Sequence, residues 1–173
     1  MNTITIKKCS ITELDADAIV NAANERLWAG SGVCGAIFAA AGYEQLEAAC
    51  AAVGPCPTGS AVITPGFRLK ARYIIHAVGP VWAGGGCGEA ERLYGAYRSA
   101  LALAAAHCCA SVGFPLISAG IFGYPAAEAW AVALRACRDF LAEGHRIDII
   151  FAVLSDRILA LGQEALSALE TGG

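Results

Sequence analysis

The chain has 173 residues, of which 57% are hydrophobic and 16% are charged. This composition is typical of one compact globular domain and excludes a disordered chain. The net charge is -3 and the pI is about 5.6, so the protein has no overall basic field, and we expect no nucleic-acid partner.

The N-terminal segment and the cysteines indicate a cytoplasmic protein. Residues 1–7 alternate like a strand and lack the continuous apolar core of a signal peptide. The alanine-rich run 100–106 is too short to cross a bilayer, so we expect no membrane association. The eight cysteines are scattered without a C-x-x-C spacing, and we expect neither a metal nor a cofactor.

Predicted strands and helices alternate along the whole chain. The predicted strands are 3–9, 18–20, 60–64, 72–78, 111–117 and 147–154, and the predicted helices are 33–41, 43–53, 89–108, 125–141 and 156–169. This alternation predicts an α/β fold, a three-layer α/β/α sandwich with a mixed, largely parallel central sheet. We find no internal repeat and no linker, and we expect residues 1–173 to form a single domain.

The segment from residue 17 to 42 contains the first candidate site. A short apolar strand leads to two asparagines, Asn21 and Asn24, and then to a glycine turn that precedes a helix. Because Gly30 and Gly32 have no side chains, the backbone can approach a ligand closely there. The unpaired N–H groups of the first helical turn favour an anion, most simply a phosphate.

The same segment also matches G-x-G-x-x-G, the dinucleotide fingerprint, at residues 30–35. In that fingerprint the glycines directly follow the first strand, and an acidic residue about 20 positions later binds a ribose. Here residues 21–29 separate the predicted strand from the glycines, and Glu44 and Glu47 lie in a predicted helix. An NAD-dependent Rossmann oxidoreductase is therefore a less favoured alternative.

A second glycine loop, residues 118–123, also follows a predicted strand and precedes a helix. In open α/β sheets such loops lie at the carboxyl edge, where ligands bind. Two of them suit a diphosphate better than a single phosphate. Asn21 and Asn24 offer both donors and acceptors for sugar hydroxyls, although glycines and asparagines are also ordinary turn residues.

Four blocks in order resemble the macrodomain family, and most closely its MacroD-like branch. They are DAIVNAANERL, GSGVCGAIFAAAG, YIIHAVGPVW and ISAGIFGYP, and the resemblance extends from Ser10 to the last predicted helix. It implies a mixed sheet between helices and a cleft for ADP-ribose, either free or attached to protein as mono-ADP-ribose. It also implies that many members hydrolyse ADP-ribosyl esters or O-acetyl-ADP-ribose.

The resemblance implies a role for each matching position. Asn24 would contact the distal ribose and take part in catalysis, both glycine loops would surround the diphosphate, and Phe122 would line the distal ribose. The predicted ligand-binding set is Ser10, Ile11, Asn21, Asn24, Gly30, Ser31, Gly32, Val33, Cys34, Ser118, Ala119, Gly120, Ile121 and Phe122.

Three positions depart from the family pattern. Where the family usually has Gly-Asp-Ile-Thr, with the Asp on the adenine amino group, this chain has an uncharged Ser10 followed by Ile11, whose amide would contact adenine. Hydrolytic members of the branch carry Asp in Gly-Val-Asp-Gly-Ala-Ile-His. Cys34 and Phe38 replace that Asp and the following His.

The change at Cys34 bears on catalysis. A carboxylate there would orient or deprotonate the attacking water, and a thiol is a poor substitute. We therefore predict an ADP-ribose binder with weak hydrolysis. The alternative is a competent hydrolase that uses Asn24, a substrate phosphate and bound water. Nucleophilic catalysis by Cys34 is a less favoured hypothesis, because no histidine is close in sequence.

Overall fold

The computed structural model describes residues 3–172. The strands are β1 (Ile4–Lys8), β2 (Ala18–Ala22), β3 (Ala61–Pro65), β4 (Tyr73–Ala77), β5 (Ser111–Phe114) and β6 (Asp148–Val153). The helices are α1 (Gly32–Ala41), α2 (Tyr43–Val53), α3 (Glu89–Ala106), α4 (Ala126–Ala142) and α5 (Asp156–Thr171). A 3-10 helix, Ile11–Glu13, which the sequence did not predict, follows β1.

The six strands form one sheet in the order β1-β6-β5-β2-β4-β3. All neighbouring strands are parallel except β3, which runs antiparallel to β4 at one edge. The prediction of a mixed, largely parallel sheet between helices is therefore confirmed. Because β2 lies between β5 and β4, the carboxyl ends of these three strands meet at the centre of one edge.

Two hydrophobic clusters cover the two faces of the sheet. On one face, α1 and α2 pack with the 3-10 helix over Ile19 and Ile74. On the other, α3, α4 and α5 pack over Val20, Ile75 and Phe151. Strands that are covered on both faces need apolar residues at nearly every position, which explains the continuous apolar runs of β2, β4 and β6.

A buried polar group interrupts this apolar interior at His76. The imidazole is 0% exposed, its Nδ1 lies 3.0 Å from Asn21 Nδ2, and its Nε2 lies 3.0 Å from Thr64 Oγ1. Thr64 Oγ1 in turn donates to the carbonyl of Pro65, so the network fits a neutral imidazole whose Nε2–H donates to Thr64. Burial lowers the pKa of His76 to about 4.

No helix within residues 3–172 is long and apolar enough to cross a membrane. Over the same residues, no group of three or more His, Cys, Asp and Glu side chains could hold a metal ion. All eight cysteines are free thiols. The cytoplasmic location and the lack of a nucleic-acid partner stay predictions.

Candidate ligand-binding site

A cavity of about 210 Å³ opens where β2, β4 and β5 end. Ten of the fourteen predicted ligand-binding residues line it, namely Asn24, residues 30–34, Ser118 and residues 120–122. The fold thus brings both glycine loops to one cavity. The loops are far apart in sequence, and they meet because the strands before them, β2 and β5, are neighbours in the sheet.

The first loop ends in the N-terminus of α1. Ser31 occupies the N-cap position with extended backbone, but its side chain makes no capping hydrogen bond. Gly32 has a φ of 60°, which a residue with a side chain rarely adopts. The N–H groups of the first turn have no carbonyl partner within the helix, and the residues that carry them line the cavity. This end of α1 is an uncapped, partially positive surface.

The second loop is held by its own backbone hydrogen bonds. Tyr124 N–H donates to the carbonyl of Ser118 at 2.9 Å, and Gly123 N–H donates to that of Gly120 at 3.0 Å. The N–H groups of residues 120–122 take no part in these bonds. Ser118 has a φ of 69°, and its buried hydroxyl lacks a hydrogen-bond partner among the described residues. Its oxygen is buried against Gly79, where an added Cβ would clash with it, so the hydroxyl does not face the cavity.

Asn24 connects the floor of the cavity to the loop that precedes α1. Its Oδ1 accepts from Trp28 N–H at 3.0 Å, and its Nδ2 donates to the Trp28 carbonyl at 2.8 Å. These two bonds leave one amide N–H and one oxygen lone pair for a ligand. The half-buried side chain of Asn24 can therefore shape the loop and contact a sugar hydroxyl at the same time.

Cys34 lies in the first turn of α1 and is 6% exposed. Its Sγ lies 3.7 Å from the Trp28 carbonyl. The cysteine beside a histidine is instead Cys50, whose Sγ lies 3.8 Å from His76 Nε2. Burial raises the pKa of Cys50 to about 11, so that pair is a thiol and a neutral imidazole. The structure therefore does not support a cysteine–histidine nucleophile at Cys34.

Four predicted residues do not line this cavity. Asn21 lies within β2, is 1% exposed and hydrogen-bonds to His76. The strand continues to Ala22, so this side chain lies in the interior of the fold, and its sugar contact stays a prediction. Ala119 packs against the core on the α3–α5 face.

Ser10 and Ile11 lie at the carboxyl end of β1, outside the cavity. Ser10 Oγ is 2.8 Å from Thr12 Oγ1, and Ile11 is buried in the cluster under α1. Because β1 runs parallel to β6, both residues lie at the carboxyl ends of the strands, where the cavity also opens. Their contact with adenine stays a prediction.

The structure adds lining residues that the sequence did not indicate. Ala22 ends β2 and Ala23 follows it, Gly79 follows β4, and residues 115–117 follow β5. They are mostly small or apolar, so their type carries no chemical signal. Only the rule that parallel strands present their carboxyl ends to ligands could have indicated them.

Comparison with known proteins decides the family. A family model described as Macro domain matches residues 20–133. A Macro domain-containing protein of Chlorobaculum tepidum is 52% identical over 162 residues, which are 93% of this chain and 94% of the relative. The chain belongs to the Macro domain family. An O-acetyl-ADP-ribose deacetylase of Salmonella typhimurium is 53% identical over 150 residues, 84% of this chain and 83% of the relative.

Solved macrodomains have the same fold as this macrodomain. The Oceanobacillus iheyensis macrodomain with ADP has a TM-score of 0.93 at 40% identity and covers 99% of this chain and 94% of its own. The Trypanosoma brucei macrodomain in complex with ADP-ribose has a TM-score of 0.87 at 38% identity, over 94% of this chain and 68% of its own. The predicted family is therefore confirmed.

The same findings decide against the Rossmann alternative. Its six-stranded sheet is all parallel in the order 3-2-1-4-5-6, whereas this sheet has the order β1-β6-β5-β2-β4-β3 with an antiparallel edge strand. The glycine fingerprint at residues 30–35 belongs to a different kind of strand–loop–helix unit, in which a long loop held by Asn24 precedes the glycines.

Proposed function

We propose that this macrodomain binds ADP-ribose, either free or as a mono-ADP-ribosyl group on protein, and hydrolyses such adducts slowly. The observation that supports this proposal is that two glycine loops border one cavity with backbone N–H groups that no loop or capping bond uses. Oriented N–H groups at a helix N-terminus and in a loop bind phosphate oxygens without cationic side chains. Two such groups match a diphosphate.

The roles of the side chains follow from their remaining hydrogen-bonding capacity. In the proposed complex, the free amide N–H and lone pair of Asn24 contact hydroxyls of the distal ribose, and Phe122 packs against that sugar. Ser10 and Ile11 contact adenine at the far end of the same edge. Structures of similar macrodomains with ADP and with ADP-ribose support this choice of ligand.

The expectation of slow hydrolysis comes from the lining of the cavity. None of its lining residues in the described chain is Asp, Glu, His, Lys or Arg. Asn24, Ser31, Ser118 and Cys34 are the lining residues with polar side chains. A water molecule that attacks the linkage therefore has no general base from the protein, and a phosphate oxygen of the ligand itself accepts its proton. General-base catalysis by a positioned side chain is worth about a hundredfold or more in rate, so we expect the lack of a protein base to slow hydrolysis by about this factor.

A second candidate function is deacetylation of O-acetyl-ADP-ribose. It is supported by the relatives named O-acetyl-ADP-ribose deacetylase, which are 53% identical to this chain. In this reaction water adds to the acetyl carbonyl, the ester C–O bond breaks, and acetate and ADP-ribose leave. The apolar lining contributed by Val33, Leu116 and Ile117 is compatible with an acetyl group.

Calorimetric titration with ADP-ribose, AMP and NAD tests the binding proposal. We expect ADP-ribose to bind at least about tenfold more tightly than AMP, because AMP lacks the second phosphate and the distal ribose. NAD should also bind more weakly than ADP-ribose, since its nicotinamide adds bulk at the distal ribose. Equal affinity for AMP and ADP-ribose would contradict the diphosphate site.

A pair of glycine variants tests whether the second loop forms the contact. A Cβ at either Gly120 or Gly86 meets no protein atom within 4 Å, and neither glycine has a positive φ. Gly120 lines the cavity and Gly86 does not. Gly120→Val should therefore weaken ADP-ribose binding much more than Gly86→Val does. Turnover of mono-ADP-ribosylated protein and of O-acetyl-ADP-ribose by the wild type, compared with buffer, then separates a binder from a hydrolase.

A further inference from the structure

A loop outside the cavity is bonded to the second glycine loop. This tri-glycine loop, residues 81–88, connects β4 to α3 and contains Gly84, Gly85 and Gly86. Its Trp82 N–H donates to the carbonyl of Phe122 at 2.8 Å, and the ring centroids of Trp82 and Tyr124 are 4.7 Å apart. Trp82 thus contacts Phe122, a cavity-lining residue of the second glycine loop, and Tyr124, the residue that follows this loop.

One buried carboxylate organises the tri-glycine loop. Glu89, the first residue of α3, is 1% exposed. Its Oε2 accepts from the N–H groups of Ala83 and Gly85, each at 2.9 Å, and its Oε1 accepts from Cys87 N–H at 2.7 Å. These bonds lower the pKa of Glu89 to about 2, and the bonds from Gly85 and Ala83 contribute most to this shift. The group is therefore a carboxylate at neutral pH, and each bond is charge-assisted.

The fold of the tri-glycine loop also fixes the position of Trp82. A Cβ at Gly85 would lie 2.9 Å from Cη2 of Trp82, so the backbone at Gly85 packs directly on the indole. Gly84 has a similar positive φ, 93° against 90°, but a Cβ there would meet nothing within 4 Å. The chain of contacts runs from Glu89 through Gly85 to Trp82 and then to Phe122.

We propose that Glu89 is a positioning residue for ligand binding, which acts through Trp82 on the second glycine loop. The inference rests on the proposed function, because it assumes that the N–H groups of residues 120–122 bind the diphosphate. These groups bind well only if the loop is held in one shape before the ligand arrives. The Phe122 carbonyl of this loop accepts a hydrogen bond from Trp82 N–H. Trp82 in turn packs on the tri-glycine loop, whose backbone is bonded to the Glu89 carboxylate.

The test uses Glu89→Gln, which keeps the size of the side chain and removes its charge. We expect ADP-ribose affinity to fall about tenfold. In fluorine NMR of protein labelled with fluorotryptophan, the Trp82 signal should move or broaden, while the signal of buried Trp130, which belongs to α4, should not. A purely structural role of Glu89 would lower stability without moving Trp82 relative to the ligand loop.

Gly85→Ala and Gly84→Ala form a matched pair if Glu89→Gln does not fold. Both variants place a side chain at a positive φ, but only Gly85→Ala meets the Trp82 ring. The inference requires Gly85→Ala to weaken ADP-ribose binding much more than Gly84→Ala does. Equal affinities in the two variants would overturn it.

The outcome for the wild type separates this inference from the proposed function. If the wild type does not bind ADP-ribose, the proposed function is wrong and the inference fails with it. If the wild type binds, and Glu89→Gln binds equally well with an altered Trp82 signal, only the role of Glu89 is wrong.

Discussion

Cys34 is the residue at which we expect ligand binding and turnover to separate in this cleft. It lines the cavity at the start of α1, in the position where hydrolytic members of the family carry Asp. We predict that Cys34→Asp raises the hydrolysis rate about a hundredfold, because it supplies a carboxylate that can orient and deprotonate water. ADP-ribose affinity should change little, since the backbone N–H groups remain in place. A turnover assay on mono-ADP-ribosylated protein measures the effect.

Cys34→Asn is the control for this prediction. Asn has the shape of Asp without a basic carboxylate, so its rate should stay near that of the wild type. If Asp and Asn variants hydrolyse equally slowly, water does not bind beside this position. A large loss of rate in Cys34→Ala would instead favour a chemical role for the thiol.

His76 predicts a pH dependence of stability. Its pKa is about 6.5 in an unfolded chain and about 4 in the folded protein. Between these values the unfolded state binds a proton that the folded state does not. The contribution of His76 is therefore fully present above pH 6.5 and is lost as the pH falls towards 4. The free energy of unfolding should decrease by up to about 1.4 kcal/mol per pH unit in this window.

Denaturant unfolding at several pH values between 7 and 4 checks this expectation. His76→Gln keeps a hydrogen-bonding side chain but cannot titrate, so its unfolding free energy should fall less steeply with decreasing pH than that of the wild type. His107→Gln is the matched control, because His107 lies at the C-terminal end of α3 and is only half-buried. Identical slopes for wild type and His76→Gln would contradict the prediction.

Among the helices, α5 depends on a glycine for its packing. A Cβ at Gly162 would lie 2.6 and 2.7 Å from two ring carbons of Trp130 on α4, and 3.0 Å from Cδ1 of Ile6 on β1. Gly→Ala in an open helix position stabilises by about 1 kcal/mol. Here we predict that Gly162→Ala destabilises by about 1–3 kcal/mol, because the added methyl overpacks the interface.

Urea unfolding measures this effect as a lower midpoint with an unchanged slope. The control is the same substitution in a Trp130→Phe background, where the smaller ring leaves room for the methyl and the cost should shrink. A Gly162→Ala protein that is more stable than the wild type would show that α5 shifts freely on α4.

The elements were predictable because their boundaries have local causes. Alternation indicated β1, short apolar runs indicated the other strands, and Gly42 and Pro125 marked the end of α1 and the start of α4. The 3-10 helix was missed because three residues carry no periodicity. Asn21 was assigned to the ligand because a polar residue after an apolar run suggests a loop. Its partner, His76, is its register neighbour on β4, and that pairing is a tertiary property.

The sequence predicted the glycine loops of the candidate site, but not the lining residues whose place depends on strand order. Glycine loops can be recognised in the sequence by residue type, and ten of the predicted ligand-binding residues line the cavity. Ala22, Gly79 and residues 115–117 also line the cavity, but the sequence could not indicate them, because their position depends on strand order rather than on their chemistry. The proposed contribution of Glu89 could not be predicted from the sequence, since its carboxylate bonds to the backbone of a loop that does not line the cavity.

At the scale of the whole molecule, the charge distribution is informative. The net charge is -3, and no Lys or Arg lines the cavity in the described chain. The proposed diphosphate site therefore relies on backbone dipoles. We predict that raising the ionic strength from about 0.05 to about 0.5 M changes the Kd of ADP-ribose by less than about threefold, because ion-pair screening has little to act on.

Ser31→Lys provides the comparison for the salt titration. Ser31 is an exposed residue of the cavity lining, so a lysine there adds a cation beside the proposed phosphates. The variant should bind ADP-ribose more tightly than the wild type at low salt and should lose that advantage at high salt. A steep salt dependence in the wild type would mean that basic side chains, and not the loops, hold the anion.

The position of β1 at the edge of the sheet has a consequence for synthesis on the ribosome. The first strand pairs with β6 alone, in a register that joins Ile4 to Ile149. As the polypeptide emerges, β2, β3, β4 and β5 can assemble before β6, the strand that pairs with β1, has been synthesised. A nascent chain stalled before residue 148 would therefore already contain the strands around the cavity, while β1 would still lack its partner strand.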